Sequence, residues 1–579
     1  MSPARRLWTY LKRYRARYAI GVLCLTAATG ISLCIPWAIK NAIDGLGHAG
    51  GASLPRYVVI ILLLAAANGA ARMGSRFAML GAGQWVERDV RDDLFAHLLT
   101  MPPAFYHAHR VGDLMSRASS DVSAIRQLAG FGTVMMSGTS LAFVGTLTAM
   151  WLIDPWLTVY ALTPFPLLVL IAKRFIHQVE MRSTEVQEQL GVLSAKIQEN
   201  LGGMAVVRAY TVEAREIADF GRLNDEYLRR SLGLARVQAV SWPLMGLVSG
   251  IGGLMVLWLG GKAVVDQRIT LGAFVAFNAY LAHLAWPTIA LGWTLSSVKR
   301  GLASMRRIVE ILDTAAPADE VRGEAAEAPL LPAGPIEFRD LTFSYGDRGP
   351  VLEGVSFRVP QGGLVAVVGP TGSGKSTLGL LLCRLFEPPL GTVFVGGVDV
   401  GLVSRHRLRR SVGYVPQEAF LFSRSLRDNV LFAGAAGPEH LRGAAAAAGL
   451  GEEVEAFPDG WDTVVGERGL TLSGGQRQRA ALARALAGAP PYLVLDDVLA
   501  SVDAAKEWEI LRSLRAAVTG RTTLLITHRL RAAQEADAIV VLDGGRVVET
   551  GTHAELVSAG GAYARLWRVQ QLEDELANA

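Results

Sequence analysis

Six long apolar stretches in the first half of the chain restrict its fold more than any other feature. They cover residues 19–43, 57–83, 128–153, 156–172, 237–265 and 271–297. Each is close to the roughly 20 residues that a helix needs to cross a bilayer. The Pro and Gly residues inside them are tolerated in membrane helices. The sequence therefore predicts a membrane domain of six helical spans rather than a large soluble helical domain.

The cationic residues beside these stretches are distributed unevenly. The connections after the second and fourth stretches are rich in Arg, whereas the other three connections carry almost no Arg or Lys. Since positively charged loops stay on the cytoplasmic side, both termini are predicted to be cytoplasmic and the membrane to be the inner (cytoplasmic) membrane. Residues 1–18 are predicted to form a basic amphipathic helix on that face. Its cations are Arg5, Arg6, Lys12, Arg13, Arg15 and Arg17.

Charge and cysteine usage exclude other classes of protein. The net charge of +5 gives no support for a nucleic-acid partner, because the arginines cluster beside the spans. The three cysteines are too far apart for a disulfide scaffold or a metal site. They are Cys24, Cys34 and Cys383.

Composition divides the chain into further segments. Residues 19–312 form the predicted membrane domain, whose two inner connections are expected to continue as helical stalks that turn near 110–120 and 208–216. Residues 313–335, rich in Ala, Pro and Glu, are predicted to be a linker. An α/β domain is expected over 336–570, followed by a polar tail over 571–579.

The strongest motif is the glycine-rich segment Gly-Pro-Thr-Gly-Ser-Gly-Lys-Ser over residues 369–376. It follows the apolar, strand-like run 364–368 and precedes a helical pattern. A loop of this kind cradles phosphates with backbone N–H groups, while Lys375 reaches the β- and γ-phosphates and the Ser376 hydroxyl ligates Mg²⁺. A buried strand further on ends in Asp496, which is placed to hold Mg²⁺ directly or through water. The residues predicted to bind nucleotide here are Gly369, Thr371, Gly372, Ser373, Gly374, Lys375, Ser376 and Thr377.

A second motif, Leu-Ser-Gly-Gly-Gln, precedes the helical pattern over 477–487. With this pentapeptide the chain resembles the ABC transporters, whose signature it is. The resemblance implies that the motif binds the γ-phosphate of a nucleotide held by the other subunit, through donors at a helix N-terminus. Its residues are Ser473, Gly474, Gly475 and Gln476.

The resemblance implies roles for several other residues. Tyr345 matches the aromatic that stacks on adenine, Gln417 the glutamine that contacts Mg²⁺, and His528 the histidine that contacts the γ-phosphate. Residues 465–469 resemble a motif that contacts the inner connections, and 500–503 a loop at the dimer interface. ATP and Mg²⁺ are the cofactors implied.

One position departs from the family pattern. The residue after the Mg²⁺-binding acid is usually Glu, which polarises the attacking water, but here it is Asp497. A base must come within about 2.6–3.2 Å of the proton that it takes, and the shorter side chain withdraws it. The chain thus has Asp in place of the usual Glu but an intact signature motif. This combination resembles one subunit of a heterodimeric exporter, in which that subunit's own ATP site hydrolyses slowly. A homodimer in which the aspartate still works remains the alternative.

Two arginines in the second apolar stretch bear on the substrate. Arg72 and Arg76 lie one helical turn apart and therefore on the same face. They are expected either to contact anionic or amphiphilic cargo or to pair structurally and extend to the membrane surface. Other candidates for an adaptable pocket, or for simple packing, are Met135, Met136, Trp242, Asn278, Tyr280, His283 and Trp286.

Together these observations predict a multi-domain chain: an all-α membrane domain of six helices followed by an α/β P-loop NTPase domain. The resemblance implies an ATPase that exports drugs, lipids or peptides, paired with a second half-transporter and in contact with membrane lipid and a small amphiphilic substrate. An importer on the same architecture and a regulatory subunit stay open as alternatives.

Overall fold

Long apolar segments near the N-terminus and alternating strands and helices near the C-terminus give two units of different architecture. The computed structural model describes residues 2–46, 54–317, 329–346, 349–432, 437–466, 472–498, 515–516 and 518–578. The first unit contains the residues up to Leu99 together with Val111–Ala315, and the second contains Thr100–Arg110 together with the residues from Ala316 onward.

The first unit is helical throughout its described part. Its helices are α1 (Pro3–Arg13), α2 (Arg15–Leu46), α3 (Leu54–Leu99), α5 (Val111–Ser116), α6 (Val122–Gln127), α7 (Thr133–Ile153), α8 (Pro155–Leu162), α9 (Phe165–Gly202), α10 (Met204–Ala209), α11 (Glu213–Val265) and α12 (Leu271–Leu312). Two π-helical turns, Arg117–Asp121 and Leu128–Gly132, join α5, α6 and α7 into one continuous rod.

Among the described residues of this unit, five helical segments are long and apolar enough to cross a membrane: Arg15–Leu46, Pro55–Leu99, Val111–Ile153, Pro155–Gly202 and Glu213–Val265. The helix α12 has a shorter apolar part, Leu271–Leu284. At about 1.5 Å per residue, the 46 residues of α3 extend about 69 Å, more than twice the bilayer core. The structure thus contains a helix of the length expected for a stalk, while the extension into water and the number of six spans stay predictions.

Two local predictions differ from the structure. The first inner connection does not turn at 110–120: the chain breaks after Leu99, forms the short helix α4 (Pro103–Ala108) and is helical again from Val111. Pro102 and Pro103 cause the break, because proline cannot continue a helix and restrains the residue before it. The fourth apolar stretch is also divided, since α8 ends at Leu162 and α9 begins after Pro164.

Close packing between α3 and the second π-helical turn depends on two glycines. A Cβ atom built on Gly83 would lie 2.8 Å from the Cα of Gly130 and 2.9 Å from its nitrogen. The two backbones are therefore in direct contact, which only glycine permits. This crossing fixes the point at which the stalk of α3 meets the rod that continues into α7.

The second unit contains two sheets. Its strands are β1 (Ile336–Phe343), β2 (Leu352–Val359), β3 (Leu364–Val368), β4 (Val393–Val395), β5 (Val398–Asp399), β6 (Val412–Val415), β7 (Tyr492–Asp496), β8 (Thr522–Ile526), β9 (Ala538–Asp543) and β10 (Arg546–Gly551). The smaller sheet has the order β2-β1-β4-β5 and is antiparallel. The larger sheet has the order β10-β9-β3-β8-β7-β6, and its pairs from β9 to β6 are parallel.

Helices complete the second unit: α13 (Lys375–Leu382), α14 (Arg405–Ser411), α15 (Leu426–Val430), α16 (Pro438–Ala447), α17 (Gly451–Glu455), α18 (Gly474–Ala487), α19 (Leu530–Gln534), α20 (His553–Ala559) and α21 (Ala562–Asn578). The strands β3, β7 and β8 are buried on both faces, as in parallel sheets covered by helices. The first strand begins at Ile336, as predicted for the α/β domain. Its last helix continues to Asn578, so the predicted tail is mostly helical rather than a separate segment.

Candidate nucleotide-binding site

Four parallel strands of the larger sheet end at one edge, and the predicted nucleotide-binding residues follow them. β3 leads into the glycine-rich loop, β7 ends at Asp496, β8 leads to His528, and Gln417 follows β6. The carboxyl ends of parallel strands form the crevice where such folds bind ligands. A cavity of about 470 Å³ lies there, lined by Val351, Thr371, Gly372, Gly374, Lys375, Ser376, Thr377, Gln417, Asp496, Asp497, Ile526, Thr527 and His528.

The glycines of the loop adopt conformations that other residues rarely reach. Gly369, Gly372 and Gly374 have φ angles of 152°, 84° and 94°. At Gly369 a Cβ atom would lie 2.0 Å from the carbonyl oxygen of Leu542, so the loop can follow this path only with glycine there. Gly374 caps α13, whose N-terminal N–H groups face an incoming anion at the end of the loop.

Lys375 folds back onto the loop. Its Nζ donates hydrogen bonds to the carbonyl oxygens of Gly369 and Pro370, both at 2.7 Å, and lies 3.3 Å from Ser373 Oγ. Burial lowers the pKa of Lys375, and the nearby carboxylates of Asp496 and Asp497 oppose that shift. A phosphate would satisfy the ammonium group better than neutral carbonyls do, because charge-assisted hydrogen bonds are stronger.

Ser376 and Asp496 present oxygen atoms that suit Mg²⁺. The hydroxyl of Ser376 donates to Asp496 Oδ1 at 3.0 Å, and Asp496 is almost fully buried. Burial raises the pKa of Asp496 to about 6, the charge of Asp497 adds to that shift, and the hydrogen bond from Ser376 opposes it. Mg²⁺ in nucleotide sites takes one or two carboxylates and substrate phosphates. Hydroxyl, carboxylate and the Gln417 amide in one cavity therefore fit Mg²⁺ bound with a nucleotide.

The carboxylate of Asp497 is held by neighbours rather than free. Its Oδ2 lies 2.8 Å from Nδ1 of His528 and 3.5 Å from Nε2 of Gln417, while its Oδ1 is buried and has no hydrogen-bond partner among the described residues. The side chain is 7% exposed, whereas that of His528 is 56% exposed. The three predicted residues therefore meet in one cluster at the edge of the cavity.

Two hydrogen bonds hold the backbone of Asp497 in an uncommon conformation. Its φ angle is 52°, its N–H donates to Ile526 O at 2.7 Å, and its carbonyl oxygen accepts a bond from Gln478 Nε2 at 2.8 Å. Gln478 is buried on α18, next to the signature motif. Sequence reasoning missed Gln478, because nothing in the pattern distinguishes a buried amide from a surface one.

Tyr345 belongs to an aromatic cluster close to the cavity. Its ring packs edge-on against Phe343 and Phe386, with centroid distances of 5.0 and 4.9 Å. Its hydroxyl donates to Thr377 Oγ1 at 3.1 Å. The aromatic cluster and this hydrogen bond place Tyr345 next to the start of α13. The expected stacking on adenine stays a prediction.

The signature motif begins the helix α18. Ser473 is its N-cap and forms a capping box with Gln476: Gln476 N–H donates to Ser473 Oγ at 3.2 Å, and Ser473 N–H donates to Gln476 Oε1 at 2.9 Å. None of the four signature residues lines the cavity, as expected if they serve the nucleotide of another subunit. Glu467 and Arg468 of the preceding motif, and residues 500–503, lie outside the described residues.

A buried polar network, also missed by sequence reasoning, ties the segment after Gln417 to the signature helix. Arg484 of α18 donates from Nε to Asn429 O at 2.8 Å, from Nη1 to Phe420 O at 3.0 Å and from Nη2 to Asn429 Oδ1 at 3.1 Å. Asn429 is fully buried, and its amide also bonds Phe422 in both directions. These hydrogen bonds join the segment directly to α18.

A second cavity, of about 480 Å³, lies among α2, α3, α7 and α12 of the first unit. Arg72, Arg76, Met135 and His283 line it, as the pocket interpretation expects. Tyr280 and Asn278 do not, because their side chains bond Leu33 O and Phe274 O instead. Met136 is not among the lining residues. The side chains of Trp242 and Trp286 lie outside the described part of the chain.

Fold and site define a class of protein: a helical membrane domain fused to a P-loop nucleotide-binding domain. Two family models agree, since the model described as ABC transporter transmembrane region matches residues 18–288 and the one described as ABC transporter matches 352–500. The chain belongs to the ABC transporter family.

Individual relatives resemble the chain along its whole length. A probable multidrug resistance ABC transporter ATP-binding/permease protein YheI from Bacillus subtilis is 34% identical and covers 99% of this chain and 98% of the relative. An ATP-dependent lipid A-core flippase from Syntrophus aciditrophicus is 31% identical, with 100% and 96% covered. The solved structure of a bacterial Atm1-family ABC exporter with ATP bound matches with a TM-score of 0.78 and 27% identity, covering 96% of this chain and 98% of that one. The exporter fold predicted from the sequence is thereby confirmed.

Proposed function

We propose that this chain is one half of an ATP-driven exporter of amphiphilic or hydrophobic compounds, with its own nucleotide site slowed and with a second, different half as its partner. The membrane is the inner one, and the nucleotide-binding domain lies in the cytoplasm. Closure of two such domains around two nucleotides would turn the membrane cavity outward, because ATP binds the closed state better than the open one.

The observation that carries the proposal is the side chain at Asp497. It is one methylene shorter than Glu, and His528 and Gln417 hold its Oδ2 at 2.8 and 3.5 Å. A carboxylate so engaged and so short is poorly placed to polarise a water at the γ-phosphate. A misplacement of about 1 Å can cost about 10²-fold in rate.

The remaining residues of the site support ATP binding. Lys375 and the glycine-rich loop would hold the phosphates, Ser376, Gln417 and Asp496 would hold Mg²⁺, Tyr345 would pack on the adenine, and His528 would contact the γ-phosphate. Mg²⁺ would draw charge from the phosphates when bound. The signature residues Ser473, Gly474, Gly475 and Gln476 would complete the partner's site, at which hydrolysis is faster.

The relatives support the class of cargo. Names that refer to multidrug resistance and to lipid A-core both describe amphiphilic molecules. The cavity among α2, α3, α7 and α12 offers a place for such a molecule, since apolar side chains and a similar number of polar ones line it. The intact Lys375, Ser473 and His528 argue against a regulatory subunit, while an importer on the same architecture is distinguished by the direction in which cargo moves.

The first test is the subunit composition of the tagged chain, purified from its native membrane in mild detergent. A one-to-one complex with another ABC half that carries Glu after its Mg²⁺-binding acid is the expected result. Recovery of this chain alone as a dimer would contradict the heterodimer and leave Asp497 as the base in two slow, equivalent sites.

The second test changes the side chain itself. In the complex whose partner carries Gln in place of its own catalytic Glu, so that turnover reports on this chain's site, Asp497→Glu is expected to raise ATP turnover by roughly 10²-fold, since it restores the reach of the carboxylate. Asp497→Asn serves as the matched control and removes the residual activity without changing side-chain size. Brisk hydrolysis by the unchanged chain, with no gain from Asp497→Glu, would overturn the slow-site proposal.

A further inference from the structure

The cavity among α2, α3, α7 and α12 is lined by basic side chains and, among the described residues, by no acidic one. Arg72, Arg76 and His283 line it, and no Asp or Glu is among the described residues that do so. The other lining residues are small, apolar or hydroxyl-bearing, such as Leu25, Thr29, Met135, Gly138, Ala142 and Thr146. A volume of about 480 Å³ lies within the range of small-molecule sites.

The two guanidinium groups are not neutralised within the described part of the chain. Arg72 Nε donates to Asn68 Oδ1 at 2.6 Å, and the Asn68 amide in turn donates to Ala28 O at 3.3 Å. Neither Arg72 nor Arg76 forms an ion pair with a described residue, although most of the arginines on the stalks pair with an acid. A structural arginine at membrane depth is usually paired. These two retain donors for an anion.

The depth of the two arginines agrees with an amphiphile taken from the inner leaflet. Counted from Leu54, they lie about 27 and 33 Å along α3 at about 1.5 Å per residue. The hydrocarbon core is about 30 Å thick. If the outer boundary of the hydrocarbon core is placed at Leu54, the start of α3, both groups fall near its inner boundary, where inner-leaflet head groups meet acyl chains.

We propose that this cavity binds amphiphiles with an anionic head group, and that Arg72 and Arg76 select them against cationic amphiphiles. The inference rests on the export function proposed above and names the charge of its cargo. The guanidinium groups bind the phosphate or carboxylate, while Leu25, Met135 and Ala142 contact the hydrocarbon. A cation in the same place would be repelled by two positive charges at low dielectric.

The test measures binding to the full-length complex without nucleotide, in nanodiscs of neutral lipid. The probes are oleoyl lysophosphatidic acid, oleoyl lysophosphatidylcholine, hexadecyltrimethylammonium and glycerol 3-phosphate. The anionic lysolipid is expected to bind at least about 10-fold more tightly than the others, and glycerol 3-phosphate to bind weakly because it lacks a tail. This arm distinguishes a lipid head group from a free phosphate.

Substitutions of the two arginines test whether they cause the preference for the anionic lysolipid. Arg72→Gln and Arg76→Gln are each expected to weaken binding of the anionic lysolipid by about 10-fold, and to leave the lysophosphatidylcholine affinity unchanged. Arg72→Lys should retain much of the affinity. Arg300→Gln is the matched control, since this exposed arginine bonds Ser296 on its own helix and does not line the cavity.

The outcomes separate this inference from the export function. Equal affinity for anionic and cationic probes, or equal losses for Arg72→Gln and Arg300→Gln, would overturn the inference even if ATP drives transfer of some amphiphile across the membrane. Anion-selective binding that the arginine variants abolish, without any ATP-driven transfer, would support the site and overturn the export proposal instead.

Discussion

At the scale of single residues, Asp496 shows how burial prepares a metal ligand. Its carboxyl is almost fully buried, and its pKa is raised to about 6. In the metal-free protein this carboxyl therefore stabilises the fold less as pH rises from about 4 to above 6, because the unfolded chain releases its proton at lower pH. Mg²⁺ must displace the same proton, so binding of the metal and pH are linked.

The prediction from this linkage concerns affinity. Between pH 7.5 and 5, the affinity of the complex for Mg²⁺-ATP is expected to fall, by up to about tenfold per unit below pH 6, and calorimetric titration measures it. Asp496→Asn is the control, because the pH dependence that it retains belongs to the phosphates, which also titrate near pH 6. Identical pH profiles for the two proteins would exclude Asp496 as a ligand that titrates in this range.

The sequence predicts well those residues of the site that belong to recognisable motifs. Lys375, Ser376, Asp496 and His528 follow strands whose order brings their ends to one edge, so motif and topology lead to the same place. Gln478 and Asn429 could not be predicted, because their function depends on burial and on partners far along the chain. Tyr345 was predicted by position, but its edge-on packing depends on Phe386, which no motif includes.

At the scale of elements, hydropathy predicts the long helices and local chemistry decides where they break. The stalks of α3 and α9 follow from apolar spacing that continues beyond the spans. The turn at Thr100–Arg110 was missed, because the prediction placed it at 110–120 and did not consider the two adjacent prolines, Pro102 and Pro103. The π-helical turns were not predicted, because apolar spacing does not distinguish one such turn from the α-helix on either side of it.

The crossing of α3 with the second π-helical turn gives a test of that packing. Gly83→Ala would place a methyl group 2.8 Å from Gly130 Cα and is expected to destabilise the membrane domain by about 1–3 kcal/mol. Gly81→Ala is the matched control on the same helix, because no atom lies within 4 Å of its Cβ position. Thermal unfolding midpoints in detergent compare them, and equal midpoints would show that the backbones can separate without cost.

At the scale of the whole transporter, each nucleotide site of the proposed dimer would combine a P-loop from one subunit with a signature motif from the other. In the proposed heterodimer this chain's P-loop belongs to the slow site and its signature to the fast one. The two motifs of one polypeptide therefore act in different sites. Substitutions in them should therefore damage different sites, and the order of their effects should reverse when the same changes are made in the partner, whereas in a homodimer every substitution is present in both sites.

The difference is measured by comparing the ATP turnover of two variant complexes, one with Ser473→Arg and one with Lys375→Met in this chain. Ser473→Arg removes the helix cap that presents donors to the partner's γ-phosphate, so ATP turnover of the complex is expected to fall by about 10²-fold or more. Lys375→Met weakens nucleotide binding at a site that contributes little turnover and should lower the rate only a few-fold. The corresponding substitutions in the partner should reverse the order. Equal losses from both changes would mean two equivalent sites, because in a homodimer each substitution damages both of them.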